Sequence, residues 1–192
     1  MLEGKGLAAF RGEKLVFSGL NFRVAAGGAT LLVGPNGSGK STLLRVLAGL
    51  GRLEAGQLFW HGEDALADRV EHAKRVAYLG HLDAVKPGLT AVENFFNAAD
   101  ASAGLAAMAL VPLADMPARM MSAGQKRRLA LARLSVDPAP IWLLDEPTLG
   151  LDTASVARLG EVFKAHRARG GVVVAATHLP LPLDDAREVS LA

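Results

Sequence analysis

A chain of 192 residues, 51% of them hydrophobic, is long enough to bury one core and short for two. Its 21 Lys and Arg against 19 Asp and Glu leave a net charge of +2, so charge supplies no basic stripe and no argument for a nucleic-acid partner. With no cysteine, disulfides and thiolate metal sites are excluded, in keeping with a reducing compartment.

In chain order, residues 1–10 carry Glu3 and Lys5 where a signal peptide would place its apolar stretch, so the chain is expected to stay in the cytoplasm. The apolar runs at 105–114 and 172–176 fall short of the roughly 18 residues that a membrane-spanning helix requires. Short apolar runs alternate with helical stretches, which predicts an α/β fold around a central sheet. Strands are predicted at 29–33, 57–60, 76–79, 141–144 and 172–176. Helices are predicted at 40–48, 123–134 and 153–167, each beginning near a Gly, Ser, Thr or Asp that can satisfy free backbone donors. Residues 90–132 lack strand signals, are rich in Ala, Leu and Met, and read as a helical insertion. Met108, Met116, Met120 and Met121 read as its core packing.

The first motif is Gly34-Pro35-Asn36-Gly37-Ser38-Gly39-Lys40-Ser41-Thr42, after an apolar strand and opening a helix. This is the context of a phosphate loop. Its glycines let successive N–H groups point at one phosphate, Lys40 offers a mobile charge, and Ser41 offers a hydroxyl to Mg²⁺. Further along, the strand Ile141-Trp142-Leu143-Leu144 ends in Asp145-Glu146. At the carboxyl edge of a parallel sheet these two meet the phosphate loop, Asp145 to hold Mg²⁺ and Glu146 to orient or deprotonate water.

Between them lies Met121-Ser122-Ala123-Gly124-Gln125-Lys126-Arg127-Arg128, immediately ahead of a helix that Ser122 can cap. This stretch resembles the LSGGQ signature of ABC ATPases, with Ala123 in place of a glycine. Lys126–Arg128 read as a solvated helix face. Leu149-Gly150-Leu151-Asp152 stands where that family has its D-loop, with Asp152 also a candidate N-cap, and His178 matches its switch histidine. The resemblance covers essentially the whole chain. It implies one nucleotide-binding domain over residues 1–192: a P-loop NTPase core of RecA type, an N-terminal β-subdomain and a helical subdomain inserted at about 88–135. It implies ATP and Mg²⁺ as ligands, with Lys40, Glu146 and His178 in the chemistry and Ser41 and Asp145 on the metal. Gly34, Pro35, Asn36, Gly37, Ser38, Gly39, Ser41 and Thr42 would line the nucleotide. Ser122, Gly124 and Gln125 would address the γ-phosphate held by a second copy, so the partners are another copy, head to tail, and integral membrane subunits that supply the transport pathway. For adenine stacking, Phe10 and Arg11 remain open, with Phe17 as a core alternative.

His81, in Tyr78-Leu79-Gly80-His81, stands where the family usually has glutamine. With the Lys86-Pro87-Gly88-Leu89-Thr90-Ala91 run, Ser122-Ala123-Gly124-Gln125, Thr148-Leu149-Gly150-Leu151-Asp152 and His178-Leu179-Pro180-Leu181-Pro182, the chain is similar to the ATP-binding subunits of the haem exporter of cytochrome c maturation. The implied function is ATP hydrolysis coupled to haem delivery for c-type cytochromes, on the cytoplasmic face of the inner membrane. The alternatives are the ATPase of another bacterial exporter or importer and, less favoured, a soluble ABC ATPase. His81 is counted with the nucleotide-binding residues and is expected to act more as a coupling element than as an essential Mg²⁺ ligand, the alternative being a loop histidine. The five histidines are scattered and no Cys-x-x-Cys-His run exists, so direct haem binding is not expected.

Overall fold

The computed structural model describes residues 1–183 and 185–191. Its elements run β1 (Leu2–Arg11), β2 (Lys14–Val24), β3 (Ala29–Val33), α1 (Lys40–Leu47), β4 (Ala55–Trp60), β5 (Glu63–Asp64), α2 (Arg69–Lys74) and β6 (Val76–Leu79). They continue with α3 (Ala98–Ala107), α4 (Ala123–Ser135), β7 (Ile141–Asp145), α5 (Thr153–Ala168), β8 (Val172–Ala176) and β9 (Arg187–Ser190). Short 3₁₀ turns at Val92–Asn94, Val111–Leu113 and Ala118–Met120 fill the connection from α3 to its neighbours.

The strands form two sheets, an antiparallel one ordered β2-β1-β4-β5 and a parallel one ordered β6-β7-β8-β3-β9. The strands β6, β7, β8 and β3 are apolar at nearly every position because both their faces are covered, whereas the edge strand β9 is polar and mostly exposed. Trp142, Leu144, Val173 and Ala175 point into a core shared with Leu105 of α3, Leu129 and Leu134 of α4, and Leu159 and Phe163 of α5. The alternate residues Ile141, Leu143, Val172 and Val174 face Leu43, Leu44 and Leu47 of α1, with Leu2, Leu7, Phe22 and Leu58 of the antiparallel sheet behind them. One strand thus feeds two cores, each residue turning to the opposite face from its neighbour.

Every predicted strand is present to within a residue or two. The antiparallel hairpin β1–β2 escaped the strand reading because Glu3, Gly4, Lys5 and Gly6 break the apolar alternation, and the pairing itself carries register shifts after Gly4 and Leu7. The predicted helices are also present, α4 with a capping box in which Ser122 accepts from the Gln125 N–H at 3.2 Å and Gln125 accepts from the Ser122 N–H at 2.8 Å. Ala123 is the first residue of that helix, so its methyl sits on ordinary helical backbone. Met108 and Met121 are buried as core residues, but Met120 is a correction: it lies 67% exposed on the turn before α4. No helix among the described residues is long and apolar enough to cross a membrane.

His166 of α5 lies buried, stacked on Trp142 with ring centroids 3.7 Å apart. Its Nε2 is 3.3 Å from the Val172 carbonyl. Burial pushes its pKa from 6.5 down to about 4. The folded protein holds it neutral while an unfolded chain protonates it below about 6.5, so this contribution is complete above that pH and is lost as pH falls toward 4. Thermal unfolding from about pH 7.5 to about pH 5 should therefore show a falling melting temperature, with a flatter profile in His166→Phe. An equally steep profile in the variant assigns the acid loss to other groups.

Candidate functional site

Four neighbouring parallel strands end at one edge. Leu79 pairs with Leu144, Asp145 with Ala176, and Leu32 with Ala176, so the segments after β3, β6, β7 and β8 all leave the sheet together. They enclose a cleft of about 230 Å³ whose lining includes Arg11, Lys40, His81, Asp145, Glu146 and His178. Asn36, Gly37, Gly39, Ser41 and Thr42 complete the wall on the side of α1.

In the loop from β3 to α1, Gly34 has φ 146° and Gly39 has φ 105°, conformations that L side chains rarely adopt. Space enforces them too: a Cβ on Gly34 would meet the Leu191 carbonyl, and one on Gly39 would meet Val16. Lys40 is buried and donates to the carbonyls of Gly34 at 2.7 Å and Pro35 at 3.0 Å. Gly39 caps α1 without a side-chain hydrogen bond, so the amino end of the helix keeps its positive potential free for an anion. Within the same loop the Ser38 hydroxyl is buried without a hydrogen-bond partner among the described residues. An ammonium, a helix start without a side-chain cap and a glycine-walled curl fit a polyphosphate. Gly34, Pro35 and Ser38 shape the loop from behind and do not themselves line the cleft.

Across the cleft, Glu146 follows the buried Asp145 at the end of β7 and has φ 48°, an uncommon value for a residue with a side chain. Its Oε2 accepts from the Thr177 hydroxyl at 3.0 Å and from the His178 N–H at 3.3 Å, and Oε1 lies 3.9 Å from His178 Nε2. The carboxylate is thus held at the rim by the segment that leaves β8. Tyr78, behind it on β6, has its phenol pKa raised by burial and by the nearby Asp145 carboxylate.

Ser122, Gly124 and Gln125 are elsewhere. With Arg128, Gly150 and Asp152 they line a separate hollow of about 280 Å³ at the start of α4. Asp152 is the N-cap of α5, accepting from the Ser155 N–H at 2.7 Å, and its hydrogen bonds to Ser155 hold its carboxyl below the usual range. The structure therefore joins Lys40, Ser41, His81, Asp145, Glu146 and His178 in one place and leaves the Ser122 group in another.

The structure narrows one open choice and corrects one reading. Arg11 lines the cleft, whereas Phe17 is buried in the core and Phe10 is absent from the cleft wall. Arg127 corrects the reading of Lys126–Arg128 as a solvated face: it is buried and reaches the carbonyls of Asp145 and Glu146 at 2.7 Å each. The signal was there. Arg127 lies three, four and seven residues before the buried Ala130, Leu131 and Leu134, on the apolar stripe of α4.

Residues 17–149 match the ABC transporter family. A cytochrome c biogenesis ATP-binding export protein CcmA from Rhodospirillum rubrum is 53% identical over 98% of this chain and 84% of its own length. The CcmA protein of Gluconobacter oxydans is 46% identical over 100% of this chain and 87% of its own. Among solved structures, a dimeric post-hydrolysis state of the ATP-binding cassette MJ0796 bound to ADP and phosphate superimposes with a TM-score of 0.80 at 25% identity, covering 93% of this chain and 88% of that one. A bacterial Atm1-family ABC exporter with ATP bound superimposes at 0.84 with 24% identity, over 100% of this chain and 36% of that one.

The buried ammonium of Lys40 is the feature of the loop that most directly answers polyphosphate charge. Lys40→Ala should raise the nucleoside triphosphate dissociation constant by roughly tenfold or more, in line with the loss of one charge-assisted contact, while the melting temperature shifts little. Titration with a fluorescent ATP analogue reads the first and thermal unfolding the second. Unchanged affinity would place the phosphates away from this loop.

Proposed function

The chain belongs to the ABC transporter family and, within it, to the CcmA group of cytochrome c biogenesis ATPases, and on that premise we propose how its residues hydrolyse ATP for haem delivery. The observation that carries the reading is the single cleft in which Lys40, Asp145, Glu146, His178 and His81 converge from four strand ends. In this reading the whole chain is one nucleotide-binding domain, and the α3–α4 region, about residues 88–135, is its helical subdomain.

The triphosphate lies along the loop from Gly34 to Thr42. There Lys40 exchanges the Gly34 and Pro35 carbonyls for β- and γ-phosphate oxygens, and the start of α1 adds its partial positive charge. Ser41 and Asp145 would hold Mg²⁺, a pair that suits a hard cation completing its shell with phosphate oxygens and water. When bound, the ion offsets the charge of the β- and γ-phosphates. Glu146 orients the attacking water or accepts its proton, and His178, 3.9 Å from that carboxylate in the same cleft, would contact the γ-phosphate. Tethering by Thr177 and the His178 N–H restricts the Glu146 carboxylate and so favours its attack geometry. Arg11 is the candidate for the base end of the nucleotide, since a guanidinium can stack on a purine.

In this reading the Ser122 hollow is completed by another copy of the chain. Its free helix N–H groups suit the γ-phosphate bound to a second copy, which supports a head-to-tail dimer with two composite sites. Membrane subunits supply the pathway, and the chain works against them from the cytoplasmic face. His81, exposed in the cleft wall and joined through residues 82–97 to α3, suits a coupling element between hydrolysis and those subunits.

Two sets of variants test these roles, by hydrolysis in the reconstituted complex and by holocytochrome yield in cells. Glu146→Gln should lower ATPase activity by roughly 10²- to 10⁴-fold with nucleotide binding retained, and turnover at the parental rate removes it as the base. His81→Gln should retain substantial hydrolysis, whereas His81→Ala should reduce holocytochrome yield in cells more than it slows hydrolysis. Parental values of both in His81→Ala leave this residue without a role, and an ATPase loss as deep as that of Glu146→Gln makes it catalytic.

A further inference from the structure

Arg127 is a buried cation in the middle of the domain, its side chain 6% exposed. Nε donates to the Pro147 carbonyl at 3.3 Å. Nη1 donates to the Gly80 carbonyl at 3.2 Å and to Asp83 Oδ1 at 2.7 Å, and Nη2 donates to the carbonyls of Asp145 and Glu146 at 2.7 Å each. A guanidinium has five N–H donors, and five acceptors take them. None of this is a surface contact between mobile side chains. Four of the five acceptors are backbone carbonyls, fixed in direction by the strands that precede them.

The acceptors fall into two groups. Asp145 ends β7 and Glu146 and Pro147 follow it, while Gly80 and Asp83 follow β6. These strands pair up to Leu79 and Leu144, and the next residues, Gly80 and Asp145, part company. The guanidinium sits in that fork and bonds both carbonyls, continuing the link between the strands where their own ladder stops. Its anchor is α4, which begins at the Ser122 hollow.

What it touches on the β7 side is the backbone of the proposed base. Glu146 has φ 48°, and such a conformation persists only where surrounding contacts over-determine it. Its N–H donates to the Ala176 carbonyl at 2.8 Å, and its own carbonyl accepts from Arg127. The peptide is pinned on both sides, and the carboxylate reaches Thr177 and His178 from that fixed base. On the β6 side the same guanidinium holds the segment that carries His81, through Gly80 before it and Asp83 after it. Among the described residues Asp83 is the one carboxylate on Arg127, and it is itself 25% exposed, which makes it the contact most open to displacement.

We propose that Arg127 is a positioning residue for hydrolysis: it clamps the Glu146 peptide in its left-handed conformation and ties it to the His81 segment through Asp83. The start of α4, the base and the His81 segment then move as one unit. A shift of the helical region against the sheet displaces the Glu146 carboxylate, with no direct contact between Arg127 and nucleotide. This rests on Glu146 acting as the base.

The test uses the reconstituted complex with its membrane subunits and compares Arg127→Gln, Arg127→Lys, Asp83→Ala and Glu146→Gln. Arg127→Gln should lower kcat for ATP roughly 10- to 100-fold, the size of effect that a misplaced catalytic group produces, with KM within about twofold because the phosphate loop is untouched. Arg127→Lys, which keeps the charge and up to three donors, should recover part of kcat. A merely structural residue would instead reduce the folded fraction and leave kcat per nucleotide-binding site at the parental value, and that result overturns the proposal. If Arg127→Gln fails to assemble, Asp83→Ala decides: a several-fold lower kcat with unchanged KM supports the clamp, and parental kcat overturns it. Glu146→Gln separates the two readings. If it turns over at the parental rate the base assignment is wrong, whereas an inactive Glu146→Gln beside a fully active Arg127→Gln removes the clamp alone.

Discussion

Everything chemical in this protein depends on the register of one parallel ladder. Because β6, β7, β8 and β3 pair in step, their carboxyl ends fall in line, and residues as far apart in the chain as Lys40 and His178 line one cleft. The register in turn is held by burial on both faces. A slip of one residue in β7 would exchange Trp142 and Leu144 with Ile141 and Leu143, moving each into a core shaped for the other. The same slip would carry Asp145 away from the loop that ends in Lys40.

With that edge established, the two ends of the cleft differ in how they hold their groups. The phosphate side is built from backbone: two glycines at positive φ, crowded by Leu191 and Val16, and a lysine folded onto the carbonyls of its own loop. Such a wall changes little on binding and mainly exchanges one set of acceptors for another. The Glu146 side is built from long-range contacts. The carboxylate is positioned by Thr177 and His178 from β8, and its peptide by Ala176 from β8 and Arg127 from α4. One wall is therefore local and the other depends on how the helical region sits on the sheet, which suits a machine that couples hydrolysis to motion elsewhere.

The capping box at Ser122 belongs to the same logic. Its side chain satisfies one of the free N–H groups of α4 and Gln125 returns the favour to the Ser122 N–H, leaving the helix start ordered but still positive. Gly150 and Asp152 stand beside it, and Asp152 is committed to capping α5. Within one chain this hollow and the cleft have separate linings, which is what the proposed head-to-tail arrangement calls for.

The phosphate loop, the Asp145-Glu146 pair, the Ser122 cap and His178 were legible in the sequence because each is a local pattern: a strand, a short run of specific residues, then a helix start. Their physics is written within a few residues of one another. The hairpin β1–β2 was not legible from periodicity, although the resemblance implied an N-terminal β-subdomain, since Glu3, Gly4, Lys5 and Gly6 hide an alternation that only pairing with β4 makes sense of. Nor was the fate of Arg127. Three consecutive basic residues read as a wet surface, and only the tertiary packing shows that the middle one faces inward and finds five acceptors on segments 44 to 47 residues before it and 18 to 20 after. The sequence by itself determined which groups are chemically suited to a phosphate and to water activation, because that suitability is set by residue type and local backbone. Which of them share a cleft, and what holds Glu146 in its uncommon conformation, was decided by long-range pairing and burial, whose partners have no fixed spacing along the chain.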